Sequence, residues 1–328
     1  MKPRNRLFLI LATLFLSSFS LFSETAEKTA EHLKAKAPTI WDILMKPRFS
    51  TKFVVMILLG LIAFLLLKTK KMNNPIKIGL LLLATFLFGI AGNLTSYFIM
   101  HPSPICAATK SILYGFGLPL IITVAVIFLL TLIGPKLFCG WVCPVGAIQE
   151  LIAMWANKLG IRRGKTNFTT AHTLRLFVFL LFIFLSATKI IHVVVEGRVY
   201  AQSVYDFINP FHGMELGWDE DFLGYIIHYL PFLLTVILAF KYYRPYCHYV
   251  CPIGLYTHWL EQISFFRIRY NKSTCTNCGI CEEKTPCTAI PEIVKDAKLR
   301  PDCFACNECI KQCPENSFDI AHKRTSEK

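Results

Sequence analysis

Hydrophobic residues along this chain fall in long unbroken runs, not in the narrow stripes or strict alternation of a water-soluble fold. Apolar segments at about 53–67, 78–100, 111–133, 173–194 and 222–240 each approach the roughly 20 residues a membrane-spanning helix needs, and predict five spans. A shorter run, Leu7 to Leu16, follows Lys2, Arg4 and Arg6 and precedes the small residues Ser18 and Ser20. Residues 1–23 therefore read as a secretory signal peptide or an uncleaved anchor helix. Residues 24–37, ETAEKTAEHLKAKA, are polar helix formers without an apolar stripe, so 24–52 reads as a short extracytoplasmic segment. The five spans and their connections occupy 53–265. Beyond them, 266–322 is a small mixed polar and apolar unit, and 323–328 is a polar tail.

Composition agrees with a bilayer as solvent: 54% of the 328 residues are hydrophobic and 17% charged, which predicts contact with membrane lipid. The formal charge of +14 does not point to nucleic acid, because the basic residues are spread over short loops with no aromatic-basic face. Their distribution gives a topology instead. Lys68 to Lys77 holds four basic residues and no acidic one, and 134–175 holds six against one, whereas 196–221 holds six acidic against one basic. The positive-inside rule places the two basic loops, and hence the C-terminus, in the cytoplasm of an inner membrane. Segment 24–52, with six basic residues against four acidic, dissents mildly.

Eight of the thirteen cysteines crowd into 275–313, as CTNCGICEEKTPC and CFACNECIKQCP. Three thiolates from one tight loop and a fourth from elsewhere suit a 4Fe-4S cubane; structural zinc more often takes cysteine pairs separated by a long loop. In two-cluster ferredoxins the last cysteine of each run serves the other cluster. That rule assigns Cys275, Cys278, Cys281 and Cys313 to one cluster, and Cys303, Cys306, Cys309 and Cys287 to the second. The first run departs from the usual pattern, with five residues between Cys281 and Cys287 and no proline after Cys287, which predicts a longer loop. Ile280, Ile290, Ile293, Phe304, Ile310, Phe318 and Ile320 are the expected apolar shield.

A second motif is repeated. FCGWVCPVG (138–146) and YCHYVCPIG (246–254) share C-x-x-x-C-P-x-G, each at the cytoplasmic end of a predicted span. An amphipathic stretch follows each: Ile148, Leu151, Ile152, Trp155 and Leu159, then Leu255, Trp259, Leu260, Ile263 and Phe266, both predicted to lie along the interface. Cysteines four apart on a helix share a face, so Cys139, Cys143, Cys247 and Cys251 are expected to form one centre. It could be a metal or cluster site, a copper(I)-type thiolate site or a pair of redox disulfides, against the plain alternative of buried inert thiols. Cys106, in HPSPIC, has no partner in the pattern and reads as structural or as a free thiol.

Ionisable residues at membrane depth are functional candidates. Lys189 and His192 near the outer end of the fourth span, with His228 in the fifth, could surround a quinone head group, or the two histidines could ligate a b-type haem, but a lysine snorkelling to the outer interface beside boundary histidines is the favoured reading. There is no C-x-x-C-H, no P-loop and no G-x-G-x-x-G, so neither c-type haem nor nucleotide chemistry is expected.

Together, YCHYVCPIG, FCGWVCP and CFACNECIKQCP, with PSP at 102–104 and NPF at 209–211, resemble the NapH/MauN-type membrane ferredoxins, a group related to the membrane portion of NosR. The resemblance covers 53 to the end. It implies an all-α polytopic membrane domain followed by a small α+β bacterial-type ferredoxin with two 4Fe-4S clusters. The expected role is electron transfer between a quinol or cytoplasmic donor and partner redox subunits. The NosR flavin domain has no counterpart in 24–52, so no flavin is expected. Two other roles fit the same residues: a copper reductase or metalloenzyme assembly factor, and a redox-sensing regulator.

Overall fold

The computed structural model describes residues 47–322 apart from 95–97, 99–102, 115–116, 162–163, 165, 188–191, 196–197, 202–204, 206–207, 212–213, 215–221 and 296–300; at 47–49, 93–94, 113–114, 186–187, 192–195, 198–201 and 222–228 it describes the backbone alone. The expected signal segment, most of the outer segment and the polar tail lie outside the described residues.

Helix α1 (Pro47–Lys68) begins before its expected span, with Pro47 in the first turn where its missing N–H costs nothing. Helix α2 (Asn74–Thr85) is capped by Asn73, whose side chain accepts from the Ile76 amide at 3.0 Å. It runs on through a π-helical turn (Phe86–Ile90) and a last turn (Ala91–Leu94). The expected third span, 111–133, is two helices, α3 (Pro104–Tyr114) and α4 (Leu118–Ile133). Extended backbone at Gly117 and Pro119 in the next first turn start a new helix there, a break that apolar composition alone conceals.

A second π-helical turn (Phe138–Val142), α5 (Pro144–Lys158) and α6 (Phe168–Ala187) follow. The fourth span was expected to reach 194, but His192–Val195 forms strand β1, paired antiparallel to β2 (Arg198–Ala201) with Val194 opposite Val199. The valine run favours a pleated pairing over a helix. Helix α7 (Phe222–Lys241) accommodates Pro231, whose carbonyl accepts the Thr235 hydroxyl at 2.7 Å. Then come α8 (Pro245–Tyr249), α9 (Pro252–Glu261) and strand β3 (Phe266–Tyr270). Phe266 thus opens a strand and does not continue the surface helix. β3 pairs antiparallel with β4 (Phe318–His322), Ile268 opposite Ile320, and closes a unit containing α10 (Ile280–Lys284), α11 (Ile290–Val294) and α12 (Glu308–Gln312). Of the expected shield, Ile290, Ile293, Phe304, Ile310, Phe318 and Ile320 are buried, and Ile280 is half-buried.

Two helices, Ser50–Lys68 and Phe168–Leu185, are long and apolar enough to cross a bilayer, while Asn74–Ile90, Leu118–Ile133 and Tyr229–Lys241 are apolar but shorter. Five helices meet the C-terminal unit by alternate ends. The C-terminal end of α1 brings Phe64 to 5.0 Å from the Phe266 ring. The N-terminal end of α2 places Lys77 Nζ 2.9 Å from the Cys306 carbonyl. The Leu132 carbonyl of α4 accepts the Phe265 amide at 2.7 Å, Arg175 of α6 donates to Asp302 at 2.9 Å, and Arg244, just past α7, stacks over Phe304 at 4.6 Å. The connections α2–α4 and α6–α7 therefore start from and return to the opposite face.

Helices α5 and α9 are amphipathic with an inverted sense. Their polar faces point inward: Gln149, Glu150, Thr257, His258 and Glu261 are buried, whereas Trp155 is 63% and Trp259 52% exposed, beside exposed Leu159 and Ile263. Indole rings turned outward suit the level of lipid head groups.

Candidate metal centre

The repeated cysteine motifs do not lie on continuous helices. Cys139 sits in the π-helical turn, and Cys143 is already extended, because Pro144 starts α5 immediately after it. Cys247 lies in the short α8, and Cys251 is the extended residue before Pro252 of α9. The shared helical face expected from the spacing is thus replaced by two broken helices. Their thiols nevertheless meet: Cys139, Cys143, Cys247 and Cys251 line one cavity with Phe138, Tyr246, Pro104, Ile105, Phe211 and Phe304. Phe304 belongs to the second ferredoxin run. Pro104, Ile105 and Phe211 belong to the connections that leave from the opposite face, beside the PSP and NPF sequences.

The two halves repeat in detail. Lys136 and Arg244, each three residues before the first cysteine, both adopt left-handed backbone, at φ 45° and 46°. A Cβ on Gly146 would lie under 3.0 Å from the Cys139 carbonyl, and one on Gly254 equally close to that of Cys247. This close approach is the reason for glycine in C-P-x-G. Arg244 Nη1 donates to the Cys139 carbonyl at 2.8 Å, and Arg175 Nη1 to that of Cys247 at 3.1 Å. Gln149 Nε2 donates to Cys247 Sγ at 3.3 Å, so α5 of one half reaches the thiol of the other.

Burial pushes the Cys139 thiol up to about 12, with the Cys247 sulfur adding to it. It likewise raises Cys143 and Cys251 well above the usual thiol range, reinforced by neighbouring sulfurs, and raises Cys247, where Arg244 and the Gln149 hydrogen bond oppose it. Disulfide exchange needs a thiolate at ambient pH, so redox disulfides fit this site poorly. A bound cation reverses the balance, since a coordinating thiol is deprotonated outright. The donor set, four sulfurs with no carboxylate or imidazole in the wall, fits a soft thiolate-bound metal or iron–sulfur cluster.

A buried ion network surrounds the centre, and the pattern of the sequence conceals it. Asp302 receives Lys136 Nζ at 2.5 Å and Arg175 Nη1 at 2.9 Å, and burial's upward push on its carboxyl is overcome by these cations, which hold it well below the usual range. Glu150 binds Lys77 at 2.6 Å and Arg244 at 3.1 Å, and accepts the Tyr243 hydroxyl at 2.8 Å. Lys77, Lys136 and Arg175 belong to stretches that read as basic loops, yet all three are buried. Of these, Lys136 is signalled in the sequence by its place three residues before the first motif cysteine, matched by Arg244 before the second. His258, Glu261 and Asp302 bring one ligand atom each within 4.8 Å. The two fixed cations on Asp302 make that cluster unfavourable for a further metal ion.

In the C-terminal unit the two runs form matching loops. Asn277 and Gly279 in the first, and Ala305 and Asn307 in the second, have left-handed backbone. The amides of Asn277, Ala289 and Ser317 donate to the sulfurs of Cys275, Cys287 and Cys313 at 3.3, 3.4 and 3.3 Å. Burial raises Cys287 to about 12, with the Cys306 sulfur adding to it. Burial also raises Cys303 and Cys309, with Cys287 among the contributors to both. At Cys281 burial is again the first cause and Cys313 a lesser one. Cys287 is thus within electrostatic reach of Cys303, Cys306 and Cys309, and Cys313 of Cys281. The second loop is seated on the first repeated motif: Trp141 Nε1 donates to the Ala305 carbonyl at 3.2 Å, and a Cβ on Gly140 would clash with the Phe304 carbonyl. Glu261 Oε1 accepts the Cys303 amide at 3.0 Å, and burial raises its carboxyl to about 8.

Lys189 lies outside the described residues. His192 is in β1 and His228 in α7, where the backbone alone is described. Cys106 is buried near the start of α3, next to the cavity residue Ile105, with its amide donating to Ser103 Oγ at 3.1 Å.

A family model described as a 4Fe-4S binding domain matches 116–163 and 227–273, the two segments that carry the C-x-x-x-C-P motifs. The chain is 29% identical over 192 residues to the putative electron transport protein YccM of Escherichia coli, covering 56% of this chain and 50% of that protein. It is 25% identical over 215 residues to the ferredoxin-type protein NapH of Haemophilus influenzae (62% and 69%), and 25% over 253 residues to the methylamine utilization ferredoxin-type protein MauN of Methylorubrum extorquens (72% and 81%). No solved structure matches.

Proposed function

We infer, for a chain that belongs to the NapH/MauN-type ferredoxin family related to NosR, that it is a multi-pass inner-membrane electron-transfer protein with its ferredoxin unit on the cytoplasmic side. It passes electrons between a quinol or cytoplasmic donor and a partner redox enzyme. Cys275, Cys278, Cys281 and Cys313 hold one 4Fe-4S cluster, and Cys303, Cys306, Cys309 and Cys287 hold the second. Cys139, Cys143, Cys247 and Cys251 hold a third iron–sulfur centre. When bound, such clusters supply one-electron carriers.

The observation that carries this reading is the single cavity enclosing the four motif sulfurs together with Phe304 of the second ferredoxin loop. The chain's own residues exclude water there, fix the cysteine carbonyls with Arg244 and Arg175, and offset thiolate charge with Lys136 and Arg244. The outward indoles of α5 and α9, and exposed apolar positions such as Val54, Leu58, Phe177 and Phe184 on α1 and α6, support a lipid surround.

Iron and acid-labile sulfide per chain, with copper and zinc alongside, test the reading on anaerobically purified, detergent-solubilised protein. About twelve irons are expected, from three cubanes. About eight irons, with the four motif cysteines open to alkylation after denaturation, would remove the third centre. Copper in place of the last four irons would support the metal-assembly role instead.

A further inference from the structure

Two buried hydroxyls have no described partner, and one of them belongs to Tyr246, which lines the four-cysteine cavity. The phenol oxygens of Tyr246 and Tyr205 are both buried and make no hydrogen bond among the described residues. Tyr246 lines the cavity, and the groups acting on its hydroxyl are Cys251, Tyr205, Cys247 and Cys143. Tyr205 is not among the residues that line the cavity, and its ring is held edge-on against Phe182, with centroids 5.4 Å apart. Buried hydroxyls nearly always find a partner, and a phenol supplies one donor hydrogen.

The internal repeat shows that the hydroxyl is not needed for packing. Tyr246 precedes Cys247 as Phe138 precedes Cys139, and Phe138 lines the same cavity. A ring without oxygen therefore fills the equivalent position. What Tyr246 adds is an O–H among sulfurs.

We propose that the hydroxyl of Tyr246 donates a hydrogen bond to a sulfur atom of the iron–sulfur centre held by Cys139, Cys143, Cys247 and Cys251, and thereby raises its reduction potential. This rests on the reading of the four cysteines as a cluster site. Reduction adds one electron to the centre; no bond is made or broken, and the phenol keeps its proton. Hydrogen bonds to sulfur favour the more negative reduced form, so losing one lowers the potential.

The test is a redox titration followed by electron paramagnetic resonance, with iron and sulfide analysis, on the detergent-solubilised holoprotein and its Tyr246→Phe and Tyr205→Phe variants. Each variant is expected to keep about twelve irons and unchanged midpoints for the two ferredoxin clusters, which serve as internal references. In Tyr246→Phe the third signal should move to lower potential by up to roughly tenfold in its reduction equilibrium, about 59 mV for one electron, whereas in Tyr205→Phe, a buried tyrosine off the cavity wall, it should stay in place. A third signal that stays in place in Tyr246→Phe, or that moves equally in both variants, with iron retained, overturns the inference and leaves the cluster reading intact. Loss of the third cluster in Tyr246→Phe overturns it too, by making that tyrosine a holder of the site. About eight irons in the native protein would remove the cluster reading and this inference with it.

Discussion

Asp302 is a buried anion that the ferredoxin unit presents to the rest of the chain, and Asp302→Asn isolates its charge at almost constant shape. The carboxylate takes Lys136 Nζ at 2.5 Å and Arg175 Nη1 at 2.9 Å, and His258 Nδ1 lies 3.0 Å away, though not aligned as a hydrogen bond. Lys136 and Arg175 are fully buried, so an amide in place of the anion leaves two desolvated cations facing each other. Breaking a buried pair from one side costs about 3–5 kcal/mol. The Lys136 contact to the Gly254 carbonyl at 3.1 Å and the Arg175 contact to the Cys247 carbonyl at 3.1 Å remain, which argues for the lower half of that range. At about 1.4 kcal/mol per tenfold, opening of the interface should rise at least a hundredfold. The assay is amide hydrogen exchange across 302–309 in detergent, alongside the rate of iron loss to a chelator. Because Cys303 follows Asp302, the second cluster should be lost first. Exchange and chelation rates within about twofold of native would refute the account of the interface, since they would mean that the cations find water or other anions at no cost.

Two further perturbations probe the same architecture. Gly140→Ala sets a Cβ against the Phe304 carbonyl and should destabilise the ferredoxin docking by about 1–3 kcal/mol; Gly79→Ala on the exposed face of α2, where nothing lies within 4 Å, should stabilise by about 0.5–1 kcal/mol, and thermal melts in detergent compare them. Burial raises the Glu150 carboxyl but Lys77 and Arg244 hold it at about 2, from an ordinary 4.5. A lowered carboxyl stabilises the fold above its unfolded value and loses that contribution as pH falls from about 4.5 toward 2, on the order of 3 kcal/mol in all. Acid unfolding followed by tryptophan fluorescence should show this loss in the native chain and not in Glu150→Gln.

The cysteine chemistry was legible because its ligands are local: two-residue gaps and a repeated nine-residue motif stand out in any context. The helix breaks were less so. Residues 111–133 form one apolar run, yet the Gly117 and Pro119 backbone splits it, and backbone restriction leaves no trace in hydropathy. The valines 193–195 are as apolar as a span, and only their pairing with β2 makes them a strand. The amphipathic stretches after each motif were visible, but not which face was inside. In water the apolar face is buried, whereas here the polar face turns inward beside the four motif cysteines and the indoles face outward. Buried charge was hidden for a related reason. Lys77, Lys136 and Arg175 look like loop cations until their partners Glu150 and Asp302, distant in sequence, are brought to them.

The two halves of the repeat differ at one place that explains why the ferredoxin is held so closely. Counting from the second cysteine of each motif, Glu150 corresponds to His258. In the first half Glu150 neutralises Arg244 at 3.1 Å. In the second half the equivalent position is a histidine, and the anion for Lys136, the counterpart of Arg244, comes from Asp302 of the ferredoxin. The membrane half is therefore short of one carboxylate, and docking of the C-terminal unit supplies it. Moving that charge back should uncouple the two roles of Asp302. In the Asp302→Asn background, His258→Glu returns an anion to the place where the repeat has one, within reach of Lys136. It should recover about 1–3 kcal/mol of the lost stability, the span seen for coupled neighbours, measured by the same exchange at 302–309 and by thermal melts. If the double variant opens as readily as Asp302→Asn alone, the repeat is a symmetry of backbone only and the charge balance across the interface has another source.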